Sequence, residues 1–224
     1  MLIKETINQI KTRIIGTNTD DRLTLLPGEV LDNVEYCIEK CKEESILGDF
    51  VETGVWRGGA VILAYNIYKL TGQNRKVYCY DSFEGLPKPD PQKYPVDEGD
   101  RHWMDNMLKV SVEEVRENFK KFKEADESVV FVKGWFKDTI PLNNIEKISI
   151  LRLDGDMYES TIDVLNYLYP KLSPGGFCII DDYGHVGAKT AVADYRAKHN
   201  INDEIVIISR NPVPGNTSAY WRKK

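Results

Sequence analysis

Two apolar runs in the second half of the chain each end in aspartates, and a predicted helix lies between them. The runs are Ile148–Leu153 and Cys178–Ile180, followed by Asp154 and Asp156 and by Asp181 and Asp182, respectively. Strands joined through a helix run parallel, so both runs end at the same edge of a sheet. Ligands of open α/β sheets bind in the crevice outside these carboxyl ends. The sequence therefore predicts an α/β fold whose binding site carries four carboxylates.

The four aspartates predict a cation site. Like charges repel one another unless a cation or shared protons offset them, and oxygen-only ligands favour Mg²⁺, Ca²⁺ or Mn²⁺. Asp154 and Asp156 are two apart, so in extended backbone their side chains point the same way, and one can bind the metal while the other faces the substrate. Asp181 and Asp182 converge on one ion only if the strand ends there, which Tyr183-Gly184 permits. The alternative is that these aspartates cap the following helices.

Composition excludes several classes of protein. The 224 residues suit one α/β domain, and 30 Lys+Arg against 35 Asp+Glu leave a net charge of -5, so no nucleic-acid partner is expected. The apolar stretches are far shorter than the roughly 20 residues of a membrane span, and no signal-peptide core is evident. The cysteines predict no zinc site, and a reduced cytoplasmic protein is expected.

The chain divides into a helical N-terminal extension, residues 1–47, and an alternating α/β domain, residues 48–224. In the extension the clearest helix runs from Pro27 to Glu44. In the domain, further strands are predicted at Gly48–Thr53, Lys76–Tyr80 and Val129–Lys133, with a closing hairpin of Glu204–Ile208 and Ala219–Arg222. Helices are predicted at about 59–70, 160–172 and near 189–198.

A long stretch between the second and third strands, about residues 85–107, is predicted to be a loop. Its prolines, four between Pro87 and Pro95, forbid regular structure. Loops of this length often act as lids over a site, and we call this segment the lid loop. The alternative is a tolerated surface insertion. His102, Trp103 and Met104 are bulky groups that favour the lid.

The first strand leads into a glycine-containing turn, Gly54-Val55-Trp56-Arg57-Gly58-Gly59. Glycines let a ligand approach the backbone, although this is not the dinucleotide fingerprint. Asp81 ends the second strand, where nucleotide-binding proteins place an acid that bonds ribose. Asp81 could equally be a helix cap beside Ser82 and Glu84. His185, after the last acidic pair, is a candidate base, substrate contact or plain surface residue, and His199 has no evident partner.

Long blocks of the sequence resemble the macrocin O-methyltransferase family, which methylates sugar hydroxyls of natural products with S-adenosylmethionine and a metal. The resemblance covers roughly residues 27–224. The blocks are GDFVETGVWRGGA (48–60), YDSFEGLPKPD (80–90), KYPVDEGD (93–100), VKGWFKDTIP (132–141), LRLDGDMYEST (151–161), LYPKLSPGGFCIIDDYG (168–184) and AYWRKK (219–224).

The resemblance implies a Rossmann-like class I methyltransferase fold with seven strands, mostly parallel, the last one antiparallel. It implies that Asp156 is the general base and that Mg²⁺ is bound by Asp154, Asp181 and Asp182. The residues that it implies for the cofactor are Glu52, Thr53, Gly54, Arg57 and Gly58 near the methionine end, Asp81 and Ser82 at the ribose, Gly134, Trp135 and Phe136 near the adenine, and Asp154.

The acceptor stays open at this stage. The segment Arg210–Asn216 departs from the pattern expected of the antibiotic enzymes, which favours a glycan or another small metabolite with a free hydroxyl. The resemblance also makes a homodimer plausible. The Asp-x-Asp at Asp154 is shared with glycosyltransferases and phosphatases, and a non-catalytic cofactor-binding protein is a further alternative.

Overall fold

A seven-stranded sheet organises the part of the chain that the computed structural model describes, residues 2–210 and 217–224. Its strands are β1 (Asp49–Thr53), β2 (Val77–Asp81), β3 (Val129–Lys133), β4 (Ile148–Leu153), β5 (Leu172–Ile180), β6 (Val206–Arg210) and β7 (Thr217–Arg222). The strand order is β3-β2-β1-β4-β5-β7-β6. β7 pairs antiparallel with both of its neighbours, whereas β1 to β5 pair parallel. The predicted fold, with a single antiparallel last strand, is confirmed.

The described ranges contain two helices before β1 and further helices between most of the strands. They are α1 (Leu2–Ile15), α2 (Gly28–Glu43), α3 (Gly59–Leu70), α4 (Val112–Lys120), α5 (Phe136–Thr139), α6 (Tyr158–Leu168) and α7 (Val186–Lys198). The helix predicted at 160–172 ends earlier, since Pro170 interrupts it and a 3-10 turn, Tyr169–Lys171, leads into β5. α4 was not predicted. Within these ranges, none of the helices has both the length and the apolar character that crossing a bilayer requires.

Two apolar cores lie on opposite faces of the sheet. Successive residues of one strand point to opposite faces, so Phe50 joins one core and Val51 the other. The first core also contains the buried faces of α1 to α4, and the second contains those of α6 and α7. Within the described residues, all four cysteines are buried and free.

The N-terminal helices pack on the domain rather than apart from it. Ile14 of α1 lies in the same core as α3, and the backbone N–H of Gly59 donates to the carbonyl of Leu23 at 2.9 Å. A Cβ at Gly59 would lie 2.6 Å from that carbonyl oxygen, so glycine is required there. A domain boundary at residue 47 stays a prediction. Of the divergent segment Arg210–Asn216, residues 211–216 lie outside the described residues.

Candidate functional site

A cavity of about 470 Å³ lies at the carboxyl ends of the central strands. Its floor is formed where β1, β2, β4 and β5 end, at Gly54, Asp81, Asp154 and Asp181. Residues of the lid loop and of the segment 23–27 form part of its wall, and residues that follow β3 and β4 form another part. The predicted location of the site, at this edge of the sheet, is therefore where the cavity lies.

Three carboxylates at the floor are placed to share one ion. Asp154, Asp181 and Asp182 each offer an oxygen, and these oxygens lie within 4.8 Å of one another. β5 ends at Ile180, so both Asp181 and Asp182 lie beyond the strand and can converge, as the sequence required. Ser218 of β7 donates to Asp181 Oδ1 at 2.9 Å and holds that carboxylate in place.

Arg152, next to the last residue of β4, is a site residue that the sequence analysis missed. Its guanidinium is fully buried and contacts Asp154 Oδ2 at 2.9 Å and Asp181 Oδ1 at 3.0 Å. It also donates to Glu52 of the neighbouring strand. A buried charge needs compensating partners, so an arginine inside an apolar strand that ends at aspartates was the available signal.

The buried carboxylates outnumber the Arg152 guanidinium, so its positive charge offsets theirs only in part, and their pKa values are raised. Burial, and then the neighbouring carboxylates, raise the pKa values of Asp154 and Asp182 well above the ordinary range even though Arg152 opposes the effect. Burial also raises the pKa of Glu52 to about 7. Such a site favours either protons or a divalent cation.

Asp156 lies beside the three-aspartate cluster and is grouped with His102 and His185 rather than with the three aspartates. β4 ends at Leu153 and Asp156 has a φ of +58°, so the extended-backbone argument for its direction was wrong. Its backbone N–H donates to Asp182 Oδ2 at 2.9 Å, and its Oδ1 lies 3.9 Å from His185 Nδ1. Burial, and then the charge of Asp154, raise its pKa to about 7. That value suits a general base near neutral pH.

A second set of cavity residues, next to the three-aspartate cluster, has the features of a cofactor site. Glu52 Oε2 is buried and has no hydrogen-bond partner among the described residues. Asp81 accepts hydrogen bonds from the N–H groups of Val55 and Phe83, both at 2.8 Å, which fix its carboxylate at the cavity wall. Gly54 has a φ of +89°, and a Cβ there would lie 1.7 Å from the carbonyl oxygen of Asp154. The backbone is thus closely packed where a ligand would approach it.

Not every predicted cofactor residue reaches the cavity. Ser82, Trp135 and Phe136 line it, together with Glu52, Gly54, Asp81 and Asp154. The predicted residues that do not line it are Thr53, Arg57, Gly58 and Gly134.

The four residues outside the cavity wall have structural contacts instead. The Thr53 hydroxyl donates to the carbonyl of Arg152 at 3.4 Å, and Arg57 donates to that of Arg22 at 3.1 Å. Gly58 and Gly134 adopt positive φ angles of +90° and +144°, which shape the turns behind the site.

The lid loop is closed over the cavity, and two of its attachments to the rest of the fold are hydrogen bonds at Asp97 and Met107. Asp97 is buried and accepts from the N–H groups of Tyr158 at 2.7 Å and Glu159 at 3.1 Å, so it caps α6. Near the other end of the loop, Trp56 Nε1 donates to the carbonyl of Met107 at 2.8 Å. Short 3-10 turns are the regular structure inside the loop: Pro95–Asp97, His102–Met104 and Asn106–Leu108.

Two histidine side chains lie close to each other and to Asp156. The rings of His102 in the lid loop and His185 before α7 have centroids 5.2 Å apart. His102 Nδ1 lies 3.0 Å from Asp100 Oδ2. Burial, and then His102, lower the pKa of His185. His199 packs on Tyr195 at the far end of α7 and does not line the cavity.

Comparisons with known proteins point to one enzyme family. The family described as Macrocin-O-methyltransferase (TylF) matches residues 4–223. The chain is 43% identical to the Mycinamicin III 3''-O-methyltransferase of Micromonospora griseorubida, over 89% of this chain and 78% of that protein. It is 44% identical to the Demethyldecarbamoylnovobiocin O-methyltransferase of Streptomyces niveus, over 89% of this chain and 75% of that protein.

Solved structures agree with these relatives. The O-methyltransferase NovP superposes with a TM-score of 0.87 at 37% identity, covering 100% of this chain and 98% of NovP. The calicheamicin methyltransferase CalS11 shares the fold, with a TM-score of 0.66 at 17% identity over 98% of this chain and 91% of that one.

Proposed function

Because the chain belongs to the macrocin O-methyltransferase family, we propose that it transfers the methyl group of S-adenosylmethionine to a sugar hydroxyl, with Mg²⁺ as its bound cation. Family membership makes it an O-methyltransferase, and the donor, the cation and the acceptor are the content of the proposal. The observation that carries it is that one cavity is lined by two chemically different sets of residues. The acidic end is the three-carboxylate cluster with the adjacent Asp156, and the cofactor end is the wall at Glu52 and Asp81; Arg152 contacts carboxylates of both.

The cofactor end fits S-adenosylmethionine. The unpartnered Glu52 Oε2 supplies an acceptor for the α-ammonium group, and Asp81 retains free lone pairs for ribose hydroxyls. The rings of Trp135 and Phe136 supply an apolar surface for the adenine. When bound, the cofactor would supply an electrophilic methyl group.

The acidic end fits Mg²⁺. Asp154, Asp181 and Asp182 offer oxygen ligands alone, and a divalent ion would offset charge that Arg152 only partly compensates. Such an ion would acidify a coordinated hydroxyl of the acceptor. Asp156 is the base of this scheme, since its carboxylate lies in the same cavity outside the cluster and its pKa is about 7. Its Oδ1 would take the hydroxyl proton, after which the acceptor oxygen bonds to the methyl carbon and the sulfur–carbon bond breaks.

A sugar is the acceptor class that the relatives favour. The tetracenomycin-type relative from Streptomyces olivaceus is named for 4'-O-methylation of a rhamnosyl compound, and it is 43% identical to this chain over 194 residues.

The closed lid loop would shield the reacting groups from water, which is the usual role of such closures.

Calorimetric titration with S-adenosylhomocysteine, with and without Mg²⁺, tests the cofactor. We expect micromolar binding that Asp81→Ala abolishes and that Asp90→Ala, an exposed change in the lid loop, leaves intact. Absence of binding under both conditions would refute the proposed donor.

Substitution of the base tests the mechanism. Asp156→Asn should lower kcat by about 10²–10⁴-fold with sugar acceptors, while S-adenosylhomocysteine binds as in the wild type. A chelator should abolish turnover in the wild type. An Asp156→Asn enzyme with wild-type turnover would exclude Asp156 as the base.

A further inference from the structure

His102, Asp156 and His185 form a second group of metal-ligating side chains, distinct in chemistry from the three-aspartate cluster. One ligand atom from each of the three lies within 4.8 Å of the other two. His185 Nδ1 and Asp156 Oδ1 are 3.9 Å apart. Two ligands of a tetrahedral zinc ion lie on the order of 3.4 Å apart, from bond lengths of about 2.1 Å. A small side-chain adjustment would therefore bring the three atoms into one coordination sphere.

His102 has a carboxylate partner of the kind that metal-bound histidines have. Asp100 Oδ2 lies 3.0 Å from His102 Nδ1, which leaves Nε2 as the free ring nitrogen. A carboxylate that holds the second nitrogen of a histidine is the usual partner of a metal-bound imidazole. The His102 side chain is 45% exposed, so an ion can enter from solvent.

We propose that these residues bind Zn²⁺ or a similar borderline transition-metal ion, and that this ion clamps the lid loop shut over the base and inhibits the enzyme. Two imidazoles and one carboxylate favour zinc, cobalt or nickel, whereas the all-oxygen cluster favours magnesium. The ion would bind both His102 of the lid loop and His185 before α7, and so would join the two segments. It would also be coordinated by Oδ1 of Asp156. The inhibition rests on the proposed role of Asp156, whereas the binding does not.

Zinc binding is measured first, with competition against a chromophoric chelator and excess Mg²⁺ present to fill the three-aspartate cluster. We expect one Zn²⁺ per chain. His102→Ala should weaken binding by at least tenfold, and Asp100→Asn by about 10–100-fold. His199→Ala is the matched control, because His199 lies at the end of α7 and packs on Tyr195. Co²⁺ in place of Zn²⁺ should give visible absorption bands that His102→Ala removes.

The cysteines do not confuse this titration. All four cysteines are buried, and burial raises the pKa of the Cys41 thiol to about 11, which disfavours the thiolate that would bind zinc. Equal zinc affinity in the wild type and His102→Ala, or complete displacement of Zn²⁺ by Mg²⁺, would overturn the proposed site.

Inhibition is measured second, with each variant normalised to its own rate without zinc. Zn²⁺ should inhibit the wild type and His199→Ala at concentrations at least tenfold below those needed for His102→Ala. Inhibition that persists unchanged in His102→Ala would overturn the clamp. Zinc binding is read without methyl transfer, so an enzyme that methylates no acceptor would refute the proposed function and leave the binding result to decide the site.

Discussion

Replacing Arg152 with methionine should destabilise the folded chain by about 3–5 kcal/mol, because three carboxylates would lose the buried guanidinium that they contact. Contacts of 2.9 Å to Asp154 and 3.0 Å to Asp181 each correspond to a gross attraction on the order of 5 kcal/mol at an effective dielectric constant of about 20. The loss is smaller than the sum, since the variant no longer desolvates a guanidinium and its carboxyls can take up protons.

Urea denaturation at pH 8 without Mg²⁺ measures this loss from the free energy of unfolding. Arg152→Lys should fall between wild type and methionine, because lysine keeps the charge but lacks the fork that reaches several carboxylates. Lys120→Met, an exposed change on α4, should leave the midpoint unchanged. Saturating Mg²⁺ should narrow the difference, since an ion bound to the folded state supplies part of the missing charge. A loss below about 1 kcal/mol with an unchanged m-value would show that Arg152 does not compensate ionised carboxylates.

Three further changes test the rest of the site. The affinity for S-adenosylhomocysteine, measured by calorimetry, should rise with pH up to about 7, by at most tenfold per pH unit, and then level off. The reason is that a bound ammonium group favours the ionised form of Glu52, whose pKa is about 7 in the free protein. Glu52→Gln should therefore flatten this profile. Asp97→Ala should cost about 1 kcal/mol through loss of the α6 cap and should speed proteolysis within the lid loop. Gly54→Ala should cost about 2–4 kcal/mol in denaturant unfolding, because its Cβ would meet the Asp154 carbonyl oxygen in a left-handed backbone.

Two of these changes have a matched control within the chain. Gly72 also has a positive φ, +67°, but nothing lies within 4 Å of its Cβ position, so Gly72→Ala isolates the cost of the backbone angle. Equal losses at Gly54 and Gly72 would contradict the predicted clash. Asp90→Ala is the control for Asp97→Ala, and equal cleavage of both variants would show that the cap does not hold the loop. If Glu52→Gln leaves the pH dependence of S-adenosylhomocysteine affinity unchanged, the group that titrates near pH 7 is not Glu52.

Local patterns predicted the sheet well because its central strands are short apolar runs that end sharply. β3, β4 and α3 have the bounds that the sequence predicted. α4 was missed although Ser111 caps its start and Val115, Asn118 and Phe119 form its buried face, which are local signals of a helix.

Long-range partners limited the prediction of the site. Arg152 meets Glu52 across a separation of 100 residues, and Asp97 meets Tyr158 across 61. Neither pairing leaves a local signature, whereas the paired aspartates at strand ends do. The direction of Asp156 failed for a related reason, since a left-handed residue redirects a side chain that a strand would have pointed elsewhere.

The contact between Asp97 and the start of α6 would link substrate entry to the position of Asp156, the proposed base. Asp156 lies in the turn that leads directly into α6, and Asp97 supplies the acceptors for the first free N–H groups of that helix. Any opening of the loop that withdraws Asp97 also leaves that helix start uncapped, which loosens the turn that positions Asp156. Under the proposed mechanism, a molecule that is open for loading would therefore hold Asp156 less firmly, and closure of the loop over the acceptor would restore the turn that positions it.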